Sequence, residues 1–283
     1  MVTGGGRALA QRRYEVIVAE VRRLGSVRVT ELAELLGVSD MTVRRDLDVL
    51  DESGLITKVH GGATVPEHHS SFEPGFAVKS GHNTIEKAAI ARAAASLVSP
   101  GAAIGLTAGT TTHALAAELE PIDDLTVVTN SIRVAEVLTH VARPDRTVVL
   151  TGGVRTPSDA LVGPVAVQAL RSLHLDLVFM GVHGITPRAG FTTPNLLEAE
   201  TNQAFHAAAE RLVVLADHTK WGVTGLSSIA RLSDAHVLVV DDGLDPDARH
   251  QLGEHVDQLL IAPRSTPGPS HGHPETDLAP RRA

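Results

Sequence analysis

Apolar residues recur every three to four positions at Leu9, Tyr14, Ile17, Val18, Val21 and Leu24, which predicts a helix over residues 8–24 that Gly25 ends. A short extended stretch, Val27-Arg28-Val29, follows. Thr30 is placed to cap a helix over residues 31–36, Gly37 breaks it, and Ser39 is placed to cap a second helix over 40–50. Val43, Leu47 and Leu50 form the inward stripe of that second helix. Met41, Thr42, Arg44 and Arg45 are left on its outer face. After Gly54, residues 55–59 alternate as a strand, with Thr57 and Lys58 near its tip. Two short helices around a glycine-containing turn, followed by a β-ribbon, predict a winged helix-turn-helix.

From about residue 82 the pattern changes. Seven runs rich in Val, Ile and Leu, at 102–106, 125–129, 147–151, 176–181, 212–216, 236–240 and 258–261, read as strands buried on both faces. Helical patterns at 84–98, 111–118, 132–141, 162–173 and 197–210 separate several of them, with Thr84 as the cap of the first. Alternating strands and helices predict an α/β domain with a mostly parallel sheet. Residues 63–81, polar and broken by Pro66 and Pro74, read as a linker. Residues 1–6, with three glycines, and 263–283, with five prolines, read as disordered termini. The expected modules are therefore 7–62 and 82–262.

Composition narrows the function. There are no cysteines, which excludes disulfides, cysteine–zinc sites and thiol chemistry. Aromatic residues are 2% of the chain, too few for a surface that binds single strands by stacking bases. No apolar run approaches the ~20 residues of a membrane span, and the start of the chain lacks a signal-peptide core, so a cytoplasmic protein is expected. Residues 1–62 carry nine basic and nine acidic residues, so the net charge of −8 belongs entirely to the rest. An acidic chain can still bind DNA if one small region turns its basic groups to one side.

The second helix of the first module suits that task. Its N-terminal turns would enter a major groove. Arg44 and Arg45 can contact guanine, while Thr42 and Met41 can touch a thymine methyl. Ser39 and the helix start can hold a phosphate, and Lys58 and His60 would reach backbone from the wing. The competing reading is a small bundle in which Arg44 and Arg45 merely pair with Asp40, Asp48 and Asp51.

In the second module polar residues collect after the strands, where an open parallel sheet binds ligands. They are Gly109-Thr110-Thr111-Thr112, Asn130-Ser131, Gly152-Gly153, His183 and Asp217-His218-Thr219-Lys220. Threonine hydroxyls and free N–H groups at a helix start suit a phosphate, and Lys220 supplies a positive charge. Asn130-Ser131 can also be read as a helix cap, and Gly152-Gly153 as a turn.

The run Val38-Ser39-Asp40-Met41-Thr42-Val43-Arg44-Arg45-Asp46-Leu47, followed by Gly54-Leu55-Ile56-Thr57-Lys58-Val59-His60-Gly61-Gly62-Ala63, resembles the DNA-binding domain of the DeoR family of bacterial transcriptional regulators. Downstream, Lys87 with Ile90-Ala91, the Gly109-Thr110-Thr111 turn, residues 126–131, Gly152-Gly153, residues 176–184, Glu198-Ala199-Glu200 and residues 217–222 fall in the order of the same family's sensor domain. The resemblance spans residues 7–242. It implies a sensor related in fold to ribose-5-phosphate isomerases, and a phosphorylated sugar that controls DNA binding. Three positions depart from the family pattern: Lys58 where an arginine is frequent, Thr107 where an aspartate precedes the Gly-Thr-Thr turn, and Asn202 where a lysine follows Glu-Ala-Glu.

The related isomerases carry an acidic pair where this chain has His183-Gly184, so no catalytic residue is assigned. His68-His69 are adjacent in the linker and no helical histidine pair has ligand spacing, so neither metal nor cofactor is expected. The sequence predicts a repressor of a sugar or polyol catabolic operon, acting on double-stranded operator DNA as a homodimer or homotetramer. Gly109, Thr110, Thr111, Thr112, Asn130, Gly152, Gly153, His183, Glu198 and Lys220 are its expected effector site. The alternatives are an isomerase-like enzyme whose helical module only mediates assembly, and a regulator that activates or needs its metabolite as corepressor.

Overall fold

The computed structural model describes residues 4–52, 54–64 and 75–264. The first module runs α1 (Gly4–Leu24), β1 (Ser26–Arg28), α2 (Val29–Leu36), α3 (Asp40–Glu52), β2 (Thr57–Val59) and β3 (Gly62–Thr64). Ile17 and Val21 of α1, Leu32 of α2 and Val43, Leu47 and Leu50 of α3 close one apolar core under the small sheet β1-β3-β2. The expected outward and inward stripes of α3 are both present.

Local details correct the reading of the ends. Gly4–Gly6 are helical, while residues 1–3 lie outside the described residues. The second helix starts at Val29 rather than after Thr30, and the Glu31 carboxylate accepts the Arg28 N–H at its start. Gly37 makes the turn in the left-handed region, φ +64°. The tip of the wing is His60-Gly61, and Lys58 sits mid-strand opposite Ala63. Gly62 is demanded by packing, because a Cβ there would stand 2.2 Å from the Val27 carbonyl oxygen.

The second module begins with α4 (Phe76–Ser80), inside the predicted linker, whose residues 65–74 lie outside the described residues. It continues with α5 (Thr84–Ala95), β4 (Ala103–Leu106), α6 (Thr110–Glu118), β5 (Thr126–Thr129), α7 (Ile132–Thr139) and β6 (Thr147–Leu150). Then come β7 (Val154–Arg155), β8 (Leu161–Val162), α8 (Pro164–Leu170), β9 (Leu175–Gly181), β10 (Gly184–Thr186) and β11 (Gly190–Thr193). The last elements are α9 (Leu196–Ala207), β12 (Ala209–Ala216), β13 (Ser227–Ala230), β14 (Val237–Asp241), α10 (Pro246–Gly253) and β15 (Leu259–Ala262).

All seven expected strands form one sheet in the order β15-β14-β12-β9-β4-β5-β6, and every neighbouring pair is parallel. Alternate strand residues serve two cores. Ile104, Leu106, Phe179 and Val239 pack under α5, α6 and α7; Val178, Met180, Val214 and Val240 pack under α8, α9 and α10. Each fully buried aliphatic or aromatic side chain is worth roughly 1.5–3 kcal/mol, and this two-sided burial holds the strand ends in place. Five short strands were not expected: the hairpin β7–β8 and the sheet β10-β11-β13. The helix expected from Val162 starts at Pro164 because β8 takes Leu161–Val162 and Gly163 turns at φ +89°. Asn83, not Thr84, stands at the cap position of α5. Of the predicted tail, Pro263 and Arg264 are described and the rest lies outside the described residues.

Gly62→Ala should cost about 1–3 kcal/mol, the range for an overpacked interior site, whereas Gly253→Ala, whose Cβ would meet open space, should be near neutral. Denaturant unfolding of the two full-length variants checks the contrast.

Candidate functional site

Two groups of residues are presented by this architecture. The first is the outer face of α3. Ser39 Oγ accepts the Thr42 N–H at 3.3 Å and shares a 3.0 Å hydrogen bond with Thr42 Oγ1, so it caps the helix and orders its first turn. Met41 is 61% exposed. Arg44 and Arg45 are exposed, and among the described residues neither has an ion-pair or hydrogen-bond partner. Three nearby acidic residues of α3 are engaged elsewhere. Asp46 is buried and accepts Arg13 Nε at 2.7 Å and Arg13 Nη2 at 3.0 Å, tying α1 to α3. Asp48 pairs with Lys58 Nζ, and Asp51 accepts the Lys58 N–H at 2.9 Å. Lys58 therefore braces the wing against α3. His60 is exposed at the wing tip.

The second group lies at the C-terminal ends of the parallel strands. Counted along the chain, the sheet order is 7-6-5-4-1-2-3, so the direction of travel reverses between β4 and β9. Connections leaving these neighbours go to opposite faces, α6 to one core and α9 to the other, which opens a crevice at the reversal. Two glycines floor it: a Cβ on Gly109 would lie 3.9 Å from Gly181 Cα. Thr110, Thr111 and Thr112 form the first turn of α6 beside that floor. Thr107 is buried, and its hydroxyl accepts the Gly181 N–H at 3.2 Å, tying the two strand ends together. β12 borders β9, so Asp217, His218 and Lys220 stand along the same sheet end.

Several expected ligand residues have other duties. Thr112 donates to the Gly109 carbonyl at 3.0 Å. Asn130 is buried; its side-chain oxygen accepts the Ala108 N–H at 2.9 Å, and its amide donates to the Leu161 carbonyl at 3.1 Å. It shapes the β4 turn from behind. Ser131 is the cap of α7, accepting the Val134 N–H. Gly152 and Gly153 turn the chain at the outer edge of the sheet, two strands from the reversal, and a Cβ on Gly153 would strike the Val162 carbonyl at 2.6 Å. Glu198 receives the hydroxyls of Ser158, of Thr156 at 3.2 Å and of Thr193 at 3.1 Å. His183 is half-buried where β9 leads into β10, and its N–H donates to the Thr192 carbonyl.

Sequence reasoning missed a cation. Lys87 of α5 is 7% exposed, and burial lowers its ammonium pKa to about 8 despite the attraction of Asp217. Its Nζ donates to the carbonyls of Lys79 and His82, at 2.5 and 2.6 Å. Lys220 lies close enough to lower it further, and burial together with Lys87 and Lys220 lowers the His82 pKa. Burial pushes the Asp217 carboxyl up, but Lys220, the Thr219 hydroxyl and Lys87 more than reverse this and hold it below its ordinary value. Asn83 also donates to Asp217, at 3.1 Å. The signal in the sequence was Lys87's place, with Ile90-Ala91, in the run that resembles the family's sensor domain. Lys87 also ends α4, the helix inside the predicted linker. The Phe76 N–H at the other end of α4 donates to the Pro157 carbonyl, and its ring meets His113 edge-on at 5.3 Å.

The arrangement offers an anion the free N–H groups of α6, two lysines and a glycine floor that lets the ligand approach backbone closely. A Cβ at Gly184 would lie 2.2 Å from the Val223 carbonyl oxygen, leaving no room for an acidic side chain at that position.

Comparison with known proteins agrees with both halves. The sequence profile of the DeoR-like helix-turn-helix domain matches residues 13–69, and that of the DeoR C-terminal sensor domain matches residues 82–242. The transcriptional regulator GolR of Listeria innocua is 37% identical over 82% of this chain and 91% of its own length. The regulator GlpR of Haloferax volcanii is 35% identical, covering 86% and 94%. The lactose phosphotransferase system repressor of Staphylococcus aureus is 34% identical, covering 81% and 91%. Among solved structures, ribose 5-phosphate isomerase A of Methanocaldococcus jannaschii is 18% identical, with a TM-score of 0.35 over 48% of this chain and 53% of that one.

One titration is set by this geometry. Hydrogen bonding to buried Asp241, at 2.8 Å, raises the His218 pKa above 6.5 against the opposing effect of burial. The pair therefore contributes fully below pH 6.5 and is lost as pH rises through the raised value. His218→Gln should cost roughly 1 kcal/mol at pH 5.5, as for a half-exposed charged pair, and progressively less at higher pH. Stability against pH for the two proteins tests this.

Proposed function

The chain belongs to the DeoR family of transcriptional regulators, and from that premise we propose that it represses a sugar or polyol catabolic operon and leaves its operator when a phosphorylated sugar binds the crevice between β4 and β9. The observation that carries this reading is the meeting of Gly109 and Gly181 beneath the first turn of α6, with Lys87 and Lys220 nearby. The phosphate would sit on the N–H groups of Thr110 and Thr111, facing the lysines, with His183 at the sugar end. The blocked position at Gly184 supports a sensor rather than an enzyme. The name of the S. aureus relative, a lactose phosphotransferase system repressor, supports the substrate class. The protein would act in the cytoplasm, without a cofactor.

On DNA, the unpaired Arg44 and Arg45 would reach base edges while Met41 and Thr42 contact neighbouring methyl groups. Ser39 and His60 would hold phosphates. Lys58 would do so only by leaving Asp48. One module makes too few contacts for specific affinity, so the protein would act as a dimer or tetramer on repeated half-sites. Switching requires that the effector favour the released conformation over the bound one.

Arg44→Ala should cost about 1–3 kcal/mol of operator binding and relax base preference; equal losses on operator and random DNA in a gel-shift series would reduce it to a phosphate contact. Thr111→Val with Lys220→Ala should leave operator affinity unchanged and remove release by sugar phosphates. Release that persists in this double variant would place the effector elsewhere. Because Lys87 loses its proton near pH 8, sugar-phosphate affinity in calorimetry should fall as pH rises from 7 to 9, and Lys87→Met should flatten that fall.

A further inference from the structure

We propose that α4 is a strap through which the effector acts on the DNA-binding module: the Lys87 ammonium fastens the end of α4 to α5, and a phosphate in the crevice draws that ammonium away and releases α4. This rests on the crevice reading above and adds the route by which binding there reaches DNA. α4 has five residues, too few for a helix that is stable by itself. Phe76 and Lys79 are half-buried, while Ala77 and Ser80 are exposed. Its place is therefore set by the contacts at its two ends.

Those contacts lead to groups of the candidate site. At the start of α4 the Phe76 ring meets His113, which follows Thr112 on α6. Arg133, held by Asp159 at 2.7 Å, stands over the same ring, 5.6 Å from its centre. The Phe76 N–H donates to the carbonyl of Pro157, which lies between Thr156 and Ser158, and both of their hydroxyls donate to Glu198. At the end of α4, Lys87 Nζ donates to the carbonyls of Lys79 and His82.

Lys87 is the contact that a ligand can break. An ammonium has three donors, and two of these go to neutral carbonyls. A phosphate oxygen is charged and accepts hydrogen bonds roughly twice as strong. Lys220 stands near enough to repel Lys87, so an anion held by Lys220 also attracts Lys87 and relieves that repulsion. Turning Nζ to the anion removes both bonds at the end of α4 together. The effect on DNA follows from chain length. With α4 docked, residues 65–74 separate it from Thr64, the last residue of β3. With α4 released, the separation extends to Asn83, just before α5. Lengthening the linker lowers the effective concentration of one DNA-binding module at its half-site once its partner has bound.

Coupling of this kind is reciprocal, so loosening α4 by other means must strengthen phosphate binding. The test is calorimetric titration of the full-length protein and of Phe76→Ala with inorganic phosphate, beside hydrogen–deuterium exchange of residues 75–82. Bound phosphate should speed exchange across 75–82 of the wild type by about tenfold or more. Phe76→Ala should bind phosphate about fivefold tighter, the lower end of ordinary couplings, whereas loss of a ring that merely supported the fold would weaken binding. Exchange that stays the same or slows with phosphate bound, or no gain of affinity in Phe76→Ala, overturns the strap and leaves the site standing. Phosphate that fails to bind the wild type, or binds Lys220→Ala as tightly, overturns the site and the strap with it. Should Phe76→Ala fail to fold, the wild-type exchange with and without phosphate decides.

Discussion

An all-parallel sheet built outward from one central strand must reverse its direction once, and here the reversal between β4 and β9 governs the rest. Helices cannot cover both neighbours on the same face at that point, so a gap stays open above two strand ends. Backbone groups lining a gap need partners or a ligand. Thr107 answers one of them by taking the Gly181 N–H, and Asn130 answers others by bonding Ala108 and Leu161. The N–H groups at the start of α6 are the ones left facing the opening. The two cores on either side pack against the strand ends that border this gap.

The first module solves a different problem, that of keeping two arginines available in a segment with as many acidic as basic residues. It does so by assigning three carboxylates of α3 to structural tasks. Asp46 fastens α1, while Asp48 and Asp51 fasten the wing through Lys58. Net charge is therefore a poor guide to this surface, and the spatial allocation of charge is a good one. Asp46 shows why the D in the Arg44-Arg45-Asp46 run is more than a spacer.

Much of this was legible in the sequence, for physical reasons that differ by element. The five inner sheet strands are uninterrupted apolar runs because both of their faces are largely buried, whereas the edge strands β6 and β15 are apolar but more exposed. The helix periods of α1 and α3 show one buried stripe each. The short strands escaped notice because two to four residues carry no period. β11 adds polar residues, Thr192 and Thr193, that are nonetheless buried. The candidate residues fall at the C-terminal strand ends, where their spacing put them, but several have other duties there. Gly109 through Thr111 and Lys220 stand where the spacing suggested, but Asn130 and Glu198 spend their polar atoms on the protein. Lys87 was noticed only as part of the family pattern and not placed in the site, because burial of a lysine is decided by partners eight and five residues back and by a strand end far along the chain. Arg13 and Asp46 are likewise 33 positions apart, beyond any local pattern.

The chain has a single tryptophan, and it directly follows Lys220. Trp221 is half-buried, its N–H closes the turn onto the His218 carbonyl, and it forms a bridge to Ile185 across the end of the sheet. Indole emission from this protein thus originates at one location, on the rim of the crevice. Its wavelength and quenching describe the solvent and charge beside Lys220 alone, undiluted by any other fluorophore of its kind, so the molecule carries its own optical probe of that end of the sheet.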